Sequence, residues 1–212
     1  IEVLAKPFLE RGYHLAGEYR FESKKLRAKH FEHSDPNRPK VFISELDLSL
    51  MQPETKKLFE DLTHQFGSHA PDHERFLFSG RPWTANYKKY LKLAEESEYA
   101  AWLYAHGYRP NHFTVYINYL KKLNSINDLN GFLKQNGFAL NAAGGEIKGS
   151  AGEHLEQSST LANEVMVHFE DGSHRIPGCY YEFAKRYTLP SGELFEGFVA
   201  RSADKIFEST NK

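Results

Sequence analysis

The sequence predicts an α+β fold in which paired βαβββ modules form a curled, mostly antiparallel sheet around a metal cavity, with a helical insertion. The first observation is the stretch NHFTVYIN at 111–118, which alternates like a strand with one packed face and one polar face. The second is a repeat: Leu4 precedes Gly12, and Leu129 precedes Gly137, by the same eight residues, and an aromatic residue follows each glycine. This recurrence indicates two modules of shared architecture, although helix–glycine–strand sequences are also common in unrelated proteins.

The first module is predicted to cover 1–48. Apolar residues recur at helical spacing over 1–11, and Gly12 supplies a stop. Alternation and turn residues then predict three strands, at 13–21, 26–32 and 40–47. In the second half of the chain a strand precedes the helix, so the repeat places the matching strand of the first module before Ile1. A residue of the site is therefore expected upstream of this chain.

The middle of the chain, 49–110, is predicted to be the helical insertion. The second βαβββ module, with a C-terminal extension, is predicted over 111–212, and the whole chain is expected to form one structural domain. Ser125 is the expected N-cap of this module's helix. The predicted helices are 53–66, 84–93, 95–105 and 126–136, and the later strands are 138–142, 160–170 and 179–188.

The composition of the chain excludes several classes of protein. The 27 basic and 28 acidic residues give a net charge of −1, so neither a nucleic-acid partner nor a membrane surface is indicated. A single cysteine, Cys179, excludes an intramolecular disulfide framework and a cysteine-rich zinc site. A cytoplasmic enzyme is the expectation, and the 11 histidines leave a His/carboxylate metal site open.

His112 and Glu182 are the candidate metal ligands. His112 lies near the start of the strand predicted at 111–118, and alternation along CYYEFAKRY places Glu182 on one face of the last strand with Tyr180, Ala184 and Arg186. Imidazole and carboxylate suit Fe(II), Mn(II) or Zn(II), and two His with one carboxylate form the facial triad of non-haem iron oxygenases. The alternatives are that His112 is an ordinary histidine near the start of a strand and that Glu182 forms a salt bridge with Arg186 or Arg175. His168 is the reserve ligand.

Several segments resemble one known family. They are SEYAAWLYAHGYRPNHFTVYINYL, EQSSTLANEVMVHFEDGSHRIPGCYYEFAKRY, ADKIFEST and, in the first half, KVFISEL. The family is that of the 2-oxoadipate dioxygenases/decarboxylases, and its fold is similar to the vicinal-oxygen-chelate superfamily. The resemblance implies one Fe(II) bound by two His and one Glu, with His112 matching the second His and Glu182 the Glu. The first His would lie upstream of Ile1.

The reaction implied by the resemblance converts 2-oxoadipate and O₂ to 2-hydroxyglutarate and CO₂, a step of lysine catabolism. A dicarboxylate substrate needs a cation at its far end, and Arg186 is the candidate, with Arg175, Arg20 and Arg201 as competitors. Further candidates for lining the substrate site are Ser158, Ser159, Thr160 and Tyr180. The implied partners are a 2-oxo acid and O₂.

Two other functions stay open at the level of sequence. The same scaffold supports different chemistries, so a metal-dependent hydrolase or isomerase is one alternative. A binding module without catalysis is the other. Oxygen consumption separates the dioxygenase hypothesis from both.

Overall fold

The computed structural model describes residues 1–67, 73–199 and 206. The chain divides into two compact units. The first contains Ile1–Arg109 and Val167–His174, and the second contains Pro110–Met166 and the residues from Arg175 onward. No helix within the described ranges is long and apolar enough to span a membrane.

The first unit contains a three-stranded antiparallel sheet. Its strands are β1 (Tyr13–Phe21), β2 (Leu26–His33) and β3 (Val41–Leu46), in the order β1-β2-β3. Helix α1 (Glu2–Leu9) packs on one face of this sheet, where Ala5, Phe31 and Ile43 are buried together. The predicted helix and the three predicted strands are all present, within two residues of their predicted bounds.

Within the described residues of the first unit, four helices follow: α2 (Pro53–Gly67), α3 (His73–Phe76), α4 (Tyr87–Glu96) and α5 (Glu98–His106). Helices α4 and α5 begin three residues later than predicted. The reason is capping: the side chain of Asn86 accepts a hydrogen bond from the Lys89 N–H, and that of Ser97 accepts one from the Ala100 N–H. These side chains therefore fix the two helix starts more precisely than apolar spacing does.

The second unit repeats the arrangement of the first and adds one strand. Its elements are β4 (His112–Tyr116), α6 (Ile126–Gln135), β5 (Lys148–Ser150), β6 (Leu155–Ser159) and β9 (Tyr180–Arg186). Between β6 and β9 the chain forms a hairpin of β7 (Glu164–Phe169) and β8 (Gly172–Pro177), and the part of this hairpin from Val167 to His174 belongs to the first unit. The sheet order is β4-β9-β6-β5, with β4 parallel to β9 and the other pairs antiparallel. The series α6-β5-β6-β9 thus matches α1-β1-β2-β3, and the predicted α+β class with mostly antiparallel sheets is confirmed.

Two predicted strands of this unit are wrong in position. The segment predicted at 138–142 forms only an isolated bridge between Leu140 and Thr160, because the Asn141 side chain accepts from the Ala143 N–H and turns the chain. The strand predicted at 160–170 is found as β7, which begins four residues later than predicted, and β6 has already ended at Ser159. The chain leaves the sheet after Thr160, whose N–H still bonds to the Tyr181 carbonyl.

Helix α6 covers one face of the second sheet. Val115 and Phe183 pack against the buried cluster that Ile126, Leu129 and Leu133 form on this helix. Because side chains alternate along a strand, the neighbours of Val115 and Phe183 lie on the opposite face. That face carries His112 and Glu182.

Candidate metal and substrate site

The face of the second sheet that lies opposite α6 presents polar side chains in two adjacent cross-strand rows. In one row Glu182 lies between Thr114 and Ser159 in the strand register. In the next row Ala184 lies between Tyr116 and Gln157. The rows mix a buried carboxylate, an amide and hydroxyls around one small side chain, a composition suited to a polar ligand.

The predicted approach of His112 to Glu182 is confirmed. His112 Nε2 lies 3.3 Å from Glu182 Oε2, and the side chains are 23% and 8% exposed. The imidazole stacks on the Tyr180 ring at 4.7 Å between centroids and an interplanar angle of 15°. Its Nδ1 lies 3.1 Å from Asn111 Oδ1. With that oxygen as acceptor, Nδ1 carries the proton and Nε2 presents a lone pair towards Glu182.

This geometry fits a divalent cation. In the tautomer that donates from Nδ1, His112 Nε2 and Glu182 Oε2 both present lone pairs, and a divalent cation lying between them would accept both. Two metal–ligand bonds of about 2.1 Å that meet at a right angle place their two ligand atoms about 3 Å apart. The observed distance between His112 Nε2 and Glu182 Oε2 is close to this value. No third His, Cys, Asp or Glu in the described part of the chain completes a metal-binding group with them.

The second oxygen of Glu182 has a partner that the sequence-based prediction missed. Gln157 Nε2 donates to Glu182 Oε1 at 2.5 Å. The other amide atom, Gln157 Oε1, is buried and has no hydrogen-bond partner in the described structure. Alternation within LEQSS, which sets Gln157 on the same face as Ser159, was the available signal for this residue.

Tyr116 adds a second unsatisfied atom to the same face. Its hydroxyl is buried and finds no hydrogen-bond partner within the described ranges. Burial is the main cause that raises the pKa of this phenol, and the negative charge of Glu196 raises it further. Tyr116 is therefore a neutral donor at physiological pH.

Arg186 is buried on the predicted face but is already engaged. Its Nη1 donates to the carbonyls of Phe195 and Gly197, at 2.9 and 2.7 Å. Its guanidinium also lies over the Phe195 and Phe198 rings, at 6.0 and 5.8 Å from their centroids. Arg186 thus anchors the chain that follows β9, and its role towards a substrate stays a prediction. Among its competitors, Arg20 lies near Asp47 in the first unit, and Arg201 lies outside the described residues.

The three predicted hydroxyl residues do not share one face. Ser159 pairs with Glu182 and is fully buried. Ser158 points the other way and donates to Asn130 Oδ1 on α6 at 2.8 Å. Thr160 Oγ1 accepts from the Tyr181 N–H at 3.1 Å. Of the three, Ser159 alone lies in the row of Glu182, and their roles towards a ligand stay predictions.

His168, the reserve ligand, lies on β7 in the first unit, whereas His112 and Glu182 belong to the second. Its side chain is exposed, and its Nδ1 is 2.6 Å from Ser173 Oγ across the hairpin. The structure therefore gives His168 a partner within its own hairpin.

The topology of the two modules is that of a vicinal-oxygen-chelate-like fold. A glyoxalase-superfamily structure from Ralstonia eutropha matches this fold with a TM-score of 0.70 over 93% of this chain and 67% of its own, at 18% identity. The family model for 2-oxoadipate dioxygenase/decarboxylase matches residues 74–193, more than half of the chain. The chain belongs to the 2-oxoadipate dioxygenase/decarboxylase family.

Individual relatives are similar over nearly the whole chain. The chloroplastic 2-oxoadipate dioxygenase/decarboxylase of Arabidopsis thaliana is 38% identical over 99% of this chain, which spans 64% of that protein's length. The crystal structure of hydroxyglutarate synthase from Oryza sativa, in complex with 2-oxoadipate, has a TM-score of 0.90 and 34% identity, covering all of this chain and 76% of that one. A putative hydrolase from Shewanella frigidimarina has a TM-score of 0.88 and 52% identity, over 94% of this chain and 79% of that one.

Proposed function

We propose that the protein is a metal-dependent dioxygenase/decarboxylase that converts 2-oxoadipate and O₂ to 2-hydroxyglutarate and CO₂, with Fe(II) as the metal. The observation that carries the proposal is the 3.3 Å approach of His112 Nε2 to Glu182 Oε2 on a polar sheet face. Membership of the family and the 2-oxoadipate in the rice relative's structure support the choice of substrate. A cytoplasmic location and a role in lysine catabolism remain part of this proposal.

In this reaction His112 and Glu182 would hold the metal. Fe(II) would supply the redox chemistry that cleaves the C1–C2 bond and reduces O₂. C1 leaves as CO₂, C2 becomes the new carboxylate and C3 receives the hydroxyl, so both atoms of O₂ enter the product. Asn111 sets the tautomer of His112, and Tyr180 fixes the plane of its ring. His168 is the reserve candidate for a third protein ligand.

The far carboxylate of the substrate requires a donor, and Arg186 remains the proposed one. Its Nη1 is bound to backbone carbonyls, but its other guanidinium nitrogens make no hydrogen bond within the described residues. Arg186→Ala is expected to raise KM more than it lowers kcat, because it removes binding common to substrate and transition state. Steady-state O₂ uptake measures both constants. An unchanged KM would assign Arg186 to anchoring the chain after β9 alone.

The direct test uses the full-length protein loaded with Fe(II) under anaerobic conditions. On addition of 2-oxoadipate and O₂, we expect O₂ uptake, CO₂ release and 2-hydroxyglutarate in equal amounts. Glu146→Gln is the matched control for Glu182→Gln. It alters an exposed carboxylate that is paired with Lys134. Absence of O₂ uptake with 2-oxoadipate and with other 2-oxo diacids would refute the proposal.

A metal-dependent hydrolase is the second candidate, because the Shewanella frigidimarina protein at 52% identity is described as a putative hydrolase. A His–carboxylate pair also suits a hydrolytic metal such as Zn(II). This function would consume no O₂ and would persist under anaerobic conditions. The oxygen electrode therefore separates the two candidates in one measurement.

A further inference from the structure

Of the two polar atoms of the Gln157 amide, Nε2 forms a hydrogen bond and Oε1 has no hydrogen-bond partner in the described structure. Its Nε2 donates to Glu182 Oε1 at 2.5 Å. An ionised carboxylate only accepts hydrogen bonds, so this contact fixes which end of the amide faces Glu182. The opposite end, Oε1, is buried and accepts no hydrogen bond in the described part of the chain. A buried acceptor of this kind is costly unless a ligand supplies the donor.

The position of Gln157 indicates which ligand group would reach it. Gln157 and Tyr116 flank Ala184 in one row, immediately beside the row of Glu182. The Tyr116 hydroxyl is the second buried polar atom without a partner on this face of the described structure. A carboxylate oxygen would be repelled by the Gln157 carbonyl and by Glu182, since all three only accept. The missing partner of Gln157 Oε1 is therefore an O–H or N–H donor.

We propose that Gln157 accepts a hydrogen bond from the hydroxyl of a bound 2-hydroxy acid while its Nε2 holds the Glu182 carboxylate in place. This inference rests on the proposed function, in which a 2-hydroxy diacid is the product. The 2-oxo acid carries only acceptors when ionised, so the contact with Oε1 forms after the hydroxyl has been made. Because Gln157 lies on one side of the site, the contact favours one enantiomer of the hydroxy acid.

The test compares ligands that differ by this hydroxyl alone. Glutarate and each enantiomer of 2-hydroxyglutarate are titrated calorimetrically into the full-length protein loaded with Mn(II). In the unmodified protein one enantiomer is expected to bind about 3–10-fold more tightly than glutarate, the contribution of one neutral hydrogen bond. In Gln157→Met, which has nearly the same length and no amide, that advantage is expected to fall below about twofold when the same titrations are made at a saturating concentration of Mn(II).

Two further measurements separate the roles of the two amide atoms. Loss of the donor to Glu182 is expected to weaken Mn(II) binding by about 10-fold in Gln157→Met, the usual effect of removing an outer partner of a metal ligand. Gln157→Glu keeps an acceptor but loses the donor, so it should weaken the hold on Glu182 as well. The matched control, Gln135→Met, changes an exposed glutamine at the end of α6 and should behave as the unmodified protein.

The outcomes distinguish this inference from the proposed reaction. A hydroxyl advantage that survives in Gln157→Met overturns the inference, as does an unmodified protein that binds no hydroxy acid more tightly than glutarate. Far-ultraviolet circular dichroism verifies the fold of each variant, and Gln157→Asn, which withdraws the amide by one methylene, replaces any variant that does not fold. A hydroxyl advantage that depends on Gln157 in a protein without O₂ uptake supports the binding site and refutes the reaction.

Discussion

At the scale of single residues, the pairing of His112 with Glu182 depends on three neighbours of different chemistry. Asn111 Oδ1 accepts a hydrogen bond from His112 Nδ1, the Tyr180 ring stacks on the imidazole, and Gln157 Nε2 donates to the other oxygen of Glu182. Each contact removes one degree of freedom from a ligand side chain. The pair is therefore preorganised before any metal binds, which lowers the entropic cost of binding it.

The two proposed ligands should be required for metal binding itself. Glu182→Gln and His112→Ala are each expected to weaken Mn(II) binding by more than about 100-fold, the upper end of the effect of losing only an outer partner. The first substitution replaces a negatively charged ligand with a neutral amide, and the second removes the imidazole lone pair. Equilibrium dialysis measures the affinity. Tight Mn(II) binding by both variants would place the metal site elsewhere.

Tyr187 provides a pH-dependent signal in the second unit. Burial and the hydrogen bond from its hydroxyl to Glu156 raise the pKa of Tyr187 to about 12. Since the unfolded pKa is about 10, the neutral phenol favours the folded state, and this stabilisation is lost as the pH rises from about 10 to about 12. The free energy of unfolding in urea should therefore fall more steeply over this range for the unmodified protein than for Tyr187→Phe. If the free energy of unfolding has the same pH dependence in both proteins, the raised pKa of Tyr187 is contradicted.

At the scale of elements, the end of α6 shows why the glycine repeat predicted the modules. The Phe138 N–H bonds to the Leu133 carbonyl and the Gly137 N–H to the Lys134 carbonyl, while Gly137 has φ +84°. Gly12, after α1, has φ +87°. Both helices therefore end in a left-handed residue, which only glycine adopts without strain.

A pair of Gly→Ala substitutions tests this interpretation of α6. Gly137→Ala is expected to lower the free energy of unfolding by about 1–2 kcal/mol, because alanine is strained at positive φ. Gly131→Ala, inside the same helix and facing open space, is expected to raise it by about 0.5–1 kcal/mol. Urea denaturation of both variants gives the two values. If both substitutions change the free energy of unfolding in the same direction, backbone conformation does not control this helix end.

Elements also explain which parts of the site the sequence could predict. Alternation within one strand assigned Glu182 to a face, and a polar start to a strand singled out His112. The relation of Gln157 to Glu182 depends on how β6 pairs with β9, and this register is set by packing and by the β7–β8 hairpin between them. The strand predicted at 138–142 was wrong because the side chain of Asn141 competes with the ladder for the backbone, a local effect that apolar spacing does not report.

At the scale of the whole molecule, the two units repeat one architecture but carry different polar groups. The second sheet places His112, Glu182 and Gln157 on the face opposite its helix. In the first unit the buried His30 contacts Tyr19 and Glu32, and a salt bridge joins Glu32 to Lys40. The shared topology therefore does not imply a shared site, and the chemistry depends on the side chains that each sheet presents.

Metal binding should stabilise the protein through the second unit. Mn(II) at about 100 times its dissociation constant adds about 2.7 kcal/mol to the native state, which corresponds to a rise in Tm of about 5–10 °C for a chain of this size. Differential scanning calorimetry of the full-length protein, with Mn(II) and with excess chelator, measures this shift. His112→Ala is expected to abolish the shift and His168→Ala to retain it, because His168 is exposed and bonded to Ser173 within its own hairpin. If His168→Ala instead loses the shift, His168 becomes the candidate for the third ligand, despite its bond to Ser173.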